Sequence, residues 1–267
     1  MRVSYVELFQ HCKKVFCAGG TPYGCADDGA EVVTWSEFIG LEGMHVLQQE
    51  ILDNPHSLME GIELVSEENG LYRFDGNGQS AIILGKMMAD YALSLSETNK
   101  TVRVYMHNTT RSRLLAKPAH DIATRNRGCI IRYKTMEGNP MWILSTPGMT
   151  FPLLVEGEVA ERILQQNLTA ELGKYETTNL ASDGFWLVCT TEIELITSCI
   201  RELRQEASKG TITLTESTYL KANFEKAYHN GAKVDPILWN SLNEIGRQTL
   251  VTATELSRLR GAGELAT

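Results

Sequence analysis

The stretch of sequence that decides the fold runs from residue 102 to residue 133 and reads VRVYMHNTTRSRLLAKPAHDIATRNRGCIIRY. It opens with an alternating pattern typical of a strand at 102–106, and a polar run follows at 107–113. A helix begins near Pro118, because proline suits the first turn of a helix, and Gly128 ends it before a second strand at 129–133. A strand, loop, helix and strand in this order usually form adjacent parallel strands joined by a right-handed crossover. The sequence therefore predicts an α/β fold.

Further elements are predicted on both sides of this unit. Ser4 and Glu7 form a capping box that starts a helix ending near residue 18, and a second helix spans 23–38. The remaining predictions are a hairpin of 62–65 and 71–74, a turn at 75–78, strands at 141–145, 151–155 and 185–189, and helices at 79–95, 159–172, 192–207, 216–229 and 236–247. We predict an α/β fold with a mixed sheet and flanking helices. One domain, 1–267, is expected, in which 1–58 and 192–267 can form helical subregions.

Charge and hydropathy exclude two classes of partner. Lys and Arg number 25 against 33 Asp and Glu, a net charge of −8, so the chain has no overall positive field to attract nucleic acid. Apolar runs such as 141–144 are far shorter than the roughly 20 residues of a membrane span. The first residues also lack the apolar core of a signal peptide, which predicts a cytoplasmic protein with no nucleic-acid or membrane partner.

Cysteine and histidine spacing predicts no metal site. The six cysteines contain no C-x-x-C pair, and we expect them to be reduced and mostly buried. Five histidines form no H-x-x-x-H pair and are expected to be solvated: His11, His45, His56, His120 and His229.

The polar run at 107–113 is the first candidate site. It follows a predicted strand, and ligands of α/β sheets bind at the carboxyl ends of strands. His107 can exchange a proton near neutral pH, and Arg111 or Arg113 can pair with a substrate carboxylate. We predict His107 and Arg111 as catalytic residues and Asn108 and Arg113 as substrate-binding residues. The alternative is that His107 faces the core and Arg113 faces water.

The glycine-rich turn at 75–78 is the second candidate. Glycine lets backbone amides approach an anion, and a following helix N-terminus adds partial positive charge, so Asp75, Gly76 and Gly78 are predicted to contact a cofactor. The alternative is a hairpin-to-helix turn capped by Asp and Asn. It is favoured because no G-x-G-x-x-G fingerprint or phosphate-loop lysine is present.

The third candidate is the segment 252–263, which reads TATELSRLRGAG. Glu255 is predicted to act as an acid or base, and Ser257 and Arg258 are predicted to bind an anionic substrate. The alternative is structural: Glu255 and Arg258 can be a helical surface pair, and a threonine can cap that helix.

Motifs at both ends of the chain resemble a bacterial family of unknown function. They are Val3-Ser4-x-x-Glu7-Leu8 together with 20–30 at the start, and the terminal motif T-E-x-S-R-x-x-G-A-G at 254–263. The front half also resembles the type-2 malate/L-lactate dehydrogenase superfamily. That likeness rests on the opening V-S-x-x-E-L helix, the Asp-Gly-x-Gly-Gln segment at 75–79 and a strand followed by 108–113, in the position of an N-S-x-H-x-G motif.

This resemblance implies a non-Rossmann α/β fold, NAD(P)H-dependent reduction of 2-oxo acids or cyclic imines, and a homodimer. Arg111 stands where the family has its proton-donating histidine, and Arg113 stands where the family has glycine. Arginine is a poor proton donor because it stays charged at every working pH. The resemblance therefore implies a divergent oxidoreductase-like protein that binds a small anionic, carboxylated metabolite. The alternatives are a non-catalytic binding or partner subunit, and a lyase or isomerase that uses Glu255.

Overall fold

The computed structural model describes residues 1–53, 61–110, 114–135, 137–172 and 184–247. The strands of this part are β1 (Arg2–Val3), β2 (Glu63–Glu68), β3 (Leu71–Ser80), β4 (Thr101–Thr110), β5 (Gly128–Lys134), β6 (Pro140–Ser145), β7 (Leu153–Glu156), β8 (Phe185–Thr190), β9 (Thr213–Thr215) and β10 (Ala232–Lys233). Its helices are α1 (Tyr5–Ala18), α2 (Tyr23–Phe38), α3 (Gly43–Asp53), α4 (Ala81–Leu95), α5 (Ala116–Thr124), α6 (Glu158–Leu172), α7 (Ile193–Ser208), α8 (Ser217–Asn230) and α9 (Pro236–Arg247). None of these helices is long and apolar enough to cross a membrane.

Eight of the described strands form one mixed sheet in the order β2-β3-β4-β8-β5-β6-β7-β9, and β1 pairs separately with β10. Among these strands, β3 and β4 are the parallel pair, and α4 connects them. The predicted adjacency of β4 and β5 is wrong, because β8 lies between them and pairs antiparallel with both. The prediction of a mixed sheet with flanking helices is confirmed.

Helices cover the central strands on both faces. Residues on one face, such as Val104 and Ile131, pack with residues of α2, α4 and α5, including Leu84. Residues on the other face, such as Ile130, pack against α6 and α7. Because β5 is buried on both faces, its sequence is continuously apolar from Cys129 to Ile131 rather than alternating. A third cluster joins α1, α2, α3 and α9.

Local signals correctly predicted several elements. Ser4 Oγ accepts the Glu7 N–H at 3.3 Å and the Glu7 carboxylate accepts the Ser4 N–H at 2.8 Å, which confirms the capping box. Helix α3 and the short strands β1, β9 and β10 were not predicted. The short strands exist only through pairing with distant residues, so their own sequences carry little signal.

The cysteine prediction is confirmed, and the histidine prediction is partly wrong. All six cysteines are free, and four of them are buried. His11 is 7% exposed and stacks on Trp239, whereas His120 is half-buried and packs against Trp35 and Phe151. Both rings lie on the inner faces of helices, where an imidazole packs like an aromatic side chain. His56 lies outside the described residues.

Four charged side chains form a closed ring that joins α2, α4 and α5. Asp121 contacts Lys86 at 2.7 Å and Lys117 at 2.5 Å, and Glu31 contacts the same two lysines at 3.8 and 2.9 Å. Burial alone would raise the pKa of Asp121, but Lys117 and Lys86 outweigh it and hold that pKa below its usual value. The ring therefore keeps alternating charges inside a helical interface.

Candidate active site between two parallel strands

The candidate site is built on the parallel pair β3 and β4, where Asp75 stands directly opposite His107. His107 Nε2 lies 3.3 Å from Asp75 Oδ2. The His107 side chain is 34% exposed and that of Asp75 is 28% exposed, so both remain accessible to a ligand. The structure thus places the imidazole at the surface, against the alternative in which it faces the core.

Hydrogen bonds orient the Asp75 carboxylate. Its Oδ1 accepts the Asn77 N–H at 2.8 Å and the Asn108 Nδ2 amide at 2.8 Å. The bond from Asn77, with smaller contributions from Asn108 and His107, holds the pKa of Asp75 below its usual value. An ionised Asp75 can therefore orient His107 through Nε2, which leaves Nδ1 as the nitrogen that can exchange a proton with a ligand.

The backbone at this corner departs from regular strand geometry. The predicted turn at 75–78 lies inside β3, where the register breaks between Asp75 and Gln79 so that three residues stand opposite Asn108. Asn77, Gly78 and Asn108 all have positive φ angles, of 49°, 73° and 53°. Irregular, strained backbone of this kind is concentrated at functional sites. Here it brings the Asn108 amide onto the Asp75 carboxylate.

An aromatic row extends away from His107 along one face of the sheet. Tyr105 and His107 are two residues apart on β4, which places them on the same face, and their ring centroids are 5.9 Å apart. Trp186 stands opposite Tyr105 on β8 and stacks on it at 4.7 Å. Sequence reasoning missed this row as part of the site. The alternation of residues 105 and 107 was the available signal, but the pairing with Trp186 was not visible in the sequence.

Gly184 lets β8 approach β4 beside the site. A Cβ atom at Gly184 would lie 2.5 Å from the Met106 carbonyl oxygen and 3.3 Å from His107 Cα. Both neighbours are backbone atoms, so a larger residue would have to displace β4. Gly184 therefore helps to set the position of His107.

The predicted cofactor residues fit a phosphate group poorly. A Cβ at Gly76 would lie 2.9 Å from the Asn108 carbonyl oxygen and from the side chains of Leu84 and Thr109, so Gly76 serves close packing. The start of α4 is buried, and Ser80 Oγ already accepts the Ile82 N–H. The Asp75 carboxylate adds a negative charge, which would repel a phosphate group. Of the two glycines, Gly78 is the one at which an added Cβ would meet open space. The cofactor contact assigned to this segment therefore stays a prediction that its geometry does not favour.

Five predicted site residues lie outside the described residues: Arg111, Arg113, Glu255, Ser257 and Arg258. The structure brings together the remaining predicted residues, with His107 and Asn108 on one strand and Asp75, Gly76 and Gly78 on its neighbour. Among the described residues, no group of three or more His, Cys, Asp or Glu side chains is arranged to hold a metal ion.

Comparison with known proteins gives a result at the level of structure. No protein-family model matches the chain, and no curated protein matches it by sequence. Malate dehydrogenase from Entamoeba histolytica superposes with a TM-score of 0.66 at 10% identity, covering 95% of this chain and 99% of that one. Malate dehydrogenase from Pyrococcus horikoshii gives 0.66 at 14%, covering 94% and 96%. Δ1-Piperideine-2-carboxylate reductase from Pseudomonas syringae gives 0.60 at 9%, covering 92% and 99%.

The chain has the fold of malate and lactate dehydrogenases. This malate/lactate dehydrogenase fold is the one that the resemblance in the front half implied, so that expectation is confirmed. Its largely antiparallel sheet differs from the mostly parallel sheet of a Rossmann fold. At these identities the likeness concerns the fold, and the chemistry has to be argued from the residues.

Proposed function

We propose that the protein binds a small carboxylated metabolite, a 2-oxo acid, beside the Asp75–His107 pair and reduces it with His107 as the proton donor. The observation that carries this proposal is the 3.3 Å contact between His107 Nε2 and Asp75 Oδ2 across the parallel strands β3 and β4, at the bulge in β3. The dehydrogenase fold supports the same reaction class by analogy.

Reduction of a carbonyl adds a hydride to carbon and a proton to oxygen, and His107 suits the second task. Imidazole exchanges protons near neutral pH, and an ionised carboxylate on one nitrogen orients the ring and stabilises its protonated form. Asp75 supplies that carboxylate, and Asn77 and Asn108 hold it in place. Arg111 stays charged and cannot take over this role.

Substrate binding is assigned to the arginines that follow β4 in the chain. Arg111 comes directly after Thr110, and Arg113 follows two residues later. A guanidinium group binds a carboxylate through two parallel hydrogen bonds, and Asn108 can add a third donor. A reduced nicotinamide, NAD(P)H, supplies a hydride when it is bound. No residue of the segment 75–78 is assigned to its pyrophosphate.

The test is to incubate the purified full-length chain with NADH or NADPH and a panel of 2-oxo acids and cyclic imines. We expect the nicotinamide absorbance to fall with at least one substrate, and His107→Gln to reduce the rate about 100-fold or more. His229→Gln, which changes an exposed histidine on α8, is the matched control. Absence of turnover with every substrate would contradict the proposed reduction, and absence of metabolite binding by calorimetry would contradict the proposed binding as well.

A non-catalytic ligand-binding protein is the second candidate. It is favoured by Arg111, which stands where the resembled family has its proton-donating histidine. On this hypothesis a 2-oxo acid binds by calorimetry without turnover with either nicotinamide, and His107→Gln changes affinity alone.

A further inference from the structure

A cavity of about 300 Å³ lies between the carboxyl end of α2, helix α8 and the β1–β10 ribbon. This volume is at the lower end of the range for ligand pockets, so it suits a small molecule. The charged side chains that line it are Arg2, Glu37, Glu42, Lys226 and Lys233. None of them belongs to the Asp75–His107 corner.

The cations of this cavity are placed against one another. Arg2 and Lys233 stand directly opposite in the β1–β10 ribbon, where two like charges destabilise strand pairing. Lys226 adds a third positive charge from α8. Across the described ranges no ion pair joins Lys226 or Lys233 to a carboxylate. A ligand anion between these side chains would relieve their repulsion.

Arg2 is held in position by the end of α8. Its Nη1 donates to the carbonyl oxygens of Asn230 at 3.2 Å and Gly231 at 3.0 Å. These carbonyls form the negative end of the helix dipole, which favours a cation there. The other guanidinium nitrogens, Nε and Nη2, make no hydrogen bond within the described residues and can bind an anion as a planar pair.

Glu37, near the end of α2, adds a negative charge to the lining of the cavity. Glu37 Oε2 accepts the Met44 N–H at 2.9 Å, and burial raises the pKa of this carboxyl. Glu42 lies on the same lining. In the described part of the chain, no ion pair connects Glu37 to any of the three cations. Glu37 and the three cations therefore line one cavity without an ion pair between them in the described residues.

We propose that this cavity binds a small zwitterion of the amino-acid class, with its carboxylate on Arg2, Lys226 and Lys233 and its ammonium group facing Glu37. A dianion would meet the negative charges of Glu37 and Glu42, and a simple amine would meet three cations. A zwitterion places a negative charge on the three cations and a positive charge beside the carboxylate. Binding would also join α8 to the start of the chain and to the end of α2.

The probes are glycine, β-alanine and 4-aminobutanoate, which carry the two charges at increasing separation. Butanoate and butylamine are the controls that each keep one charge of 4-aminobutanoate. Calorimetry on the full chain should show binding of at least one zwitterion, and binding of both controls about tenfold weaker or absent, since each loses one charge-assisted interaction. Hydrogen exchange should slow at 217–234 when that zwitterion is bound.

Substitutions of residues that line the cavity test whether the zwitterion binds there. Lys226→Met and Lys233→Met should each weaken zwitterion binding about tenfold, and Glu37→Gln should weaken it without weakening the binding of butanoate. Lys221→Met is the matched control, because Lys221 is an exposed lysine on the same helix that pairs with Glu225. Its binding should equal that of the wild type, and circular dichroism should confirm that every variant is folded.

Three results would overturn this proposal: no zwitterion binds, butanoate binds as tightly as 4-aminobutanoate, or the Lys226 and Lys233 variants bind like the Lys221 variant. Because the cavity shares no residue with the Asp75–His107 corner, reductase activity and zwitterion binding can fail independently.

Discussion

His11 lies flat against Trp239, with ring centroids 3.8 Å apart and planes inclined by 11°. The contact joins α1 to α9, and His11 Nε2 is buried without a hydrogen-bond partner among the residues that the structure describes. Burial, with a smaller contribution from Lys14, lowers the pKa of His11 to about 4. A neutral ring is therefore part of the interface that holds α9 in place.

The pH dependence of stability follows from this stack. The pKa of a histidine in the unfolded chain is about 6.5. Between about pH 6.5 and about pH 4, the unfolded chain therefore binds a proton that the folded chain does not. The contribution of His11 is complete above about pH 6.5 and is lost as the pH falls. Between about pH 7 and pH 5 the wild type should lose about 2 kcal/mol more unfolding free energy than His11→Phe. Parallel urea-unfolding results for the two proteins across this range would contradict the prediction.

The charged ring of α2, α4 and α5 predicts that a single substitution in it lowers the free energy of unfolding measurably. Asp121→Asn removes the carboxylate that contacts both Lys86 and Lys117, whose side chains are only 12% and 8% exposed. The two lysines then share Glu31 as their remaining contact in the ring, so we expect a loss of about 1–3 kcal/mol in unfolding free energy, which chemical denaturation can measure. Glu225→Gln breaks the exposed pair with Lys221 and should change stability by less than about 1 kcal/mol. Equal effects of the two variants would show that the ring contributes no more than a surface pair.

Asp75→Asn tests the orientation of His107. The amide keeps an oxygen to accept the Asn77 N–H but loses the charge that faces His107 Nε2. With the substrate found by the absorbance assay, kcat should fall about tenfold or more while KM changes little, and the pH profile of kcat should shift. Glu63→Gln is the control, since Glu63 stands opposite Asp75 on β2 and its substitution removes a nearby charge without touching His107. A purely structural role for Asp75 would leave the pH profile unchanged.

Gly184→Ala tests the approach of β8 to β4. Its Cβ would overlap the Met106 carbonyl oxygen at 2.5 Å, so we expect a loss of about 1–3 kcal/mol in unfolding free energy. Because the next nearest backbone atom belongs to His107, reductase activity should fall as well. Gly24→Ala is the control: it has open space within α2, and the change should stabilise that helix by up to about 1 kcal/mol. Wild-type stability in Gly184→Ala would show that the two strands are not held this closely.

Elements with strong local signals could be predicted closely. The bounds of α1, α2 and α9 follow from the capping box of Ser4, the break at 19–22 and the proline at 236, all of which act within a few residues. His107 and Asn108 were predicted to follow a strand at 102–106, but β4 continues through both of them to Thr110. The bounds of β3 were not, because 75–78 has the composition of a turn while its backbone continues the strand through a bulge.

By itself, the sequence determined the class of the fold and most helices and strands. Tertiary structure alone decided that β8 separates β4 from β5, that Asp75 meets His107, and that Arg2 meets Lys233. The physical reason is that a periodic pattern tells which face of a strand is buried, but it does not tell which strand lies beside it. Partner and register are set by packing between residues far apart in the chain, and each candidate site here depends on such a pairing.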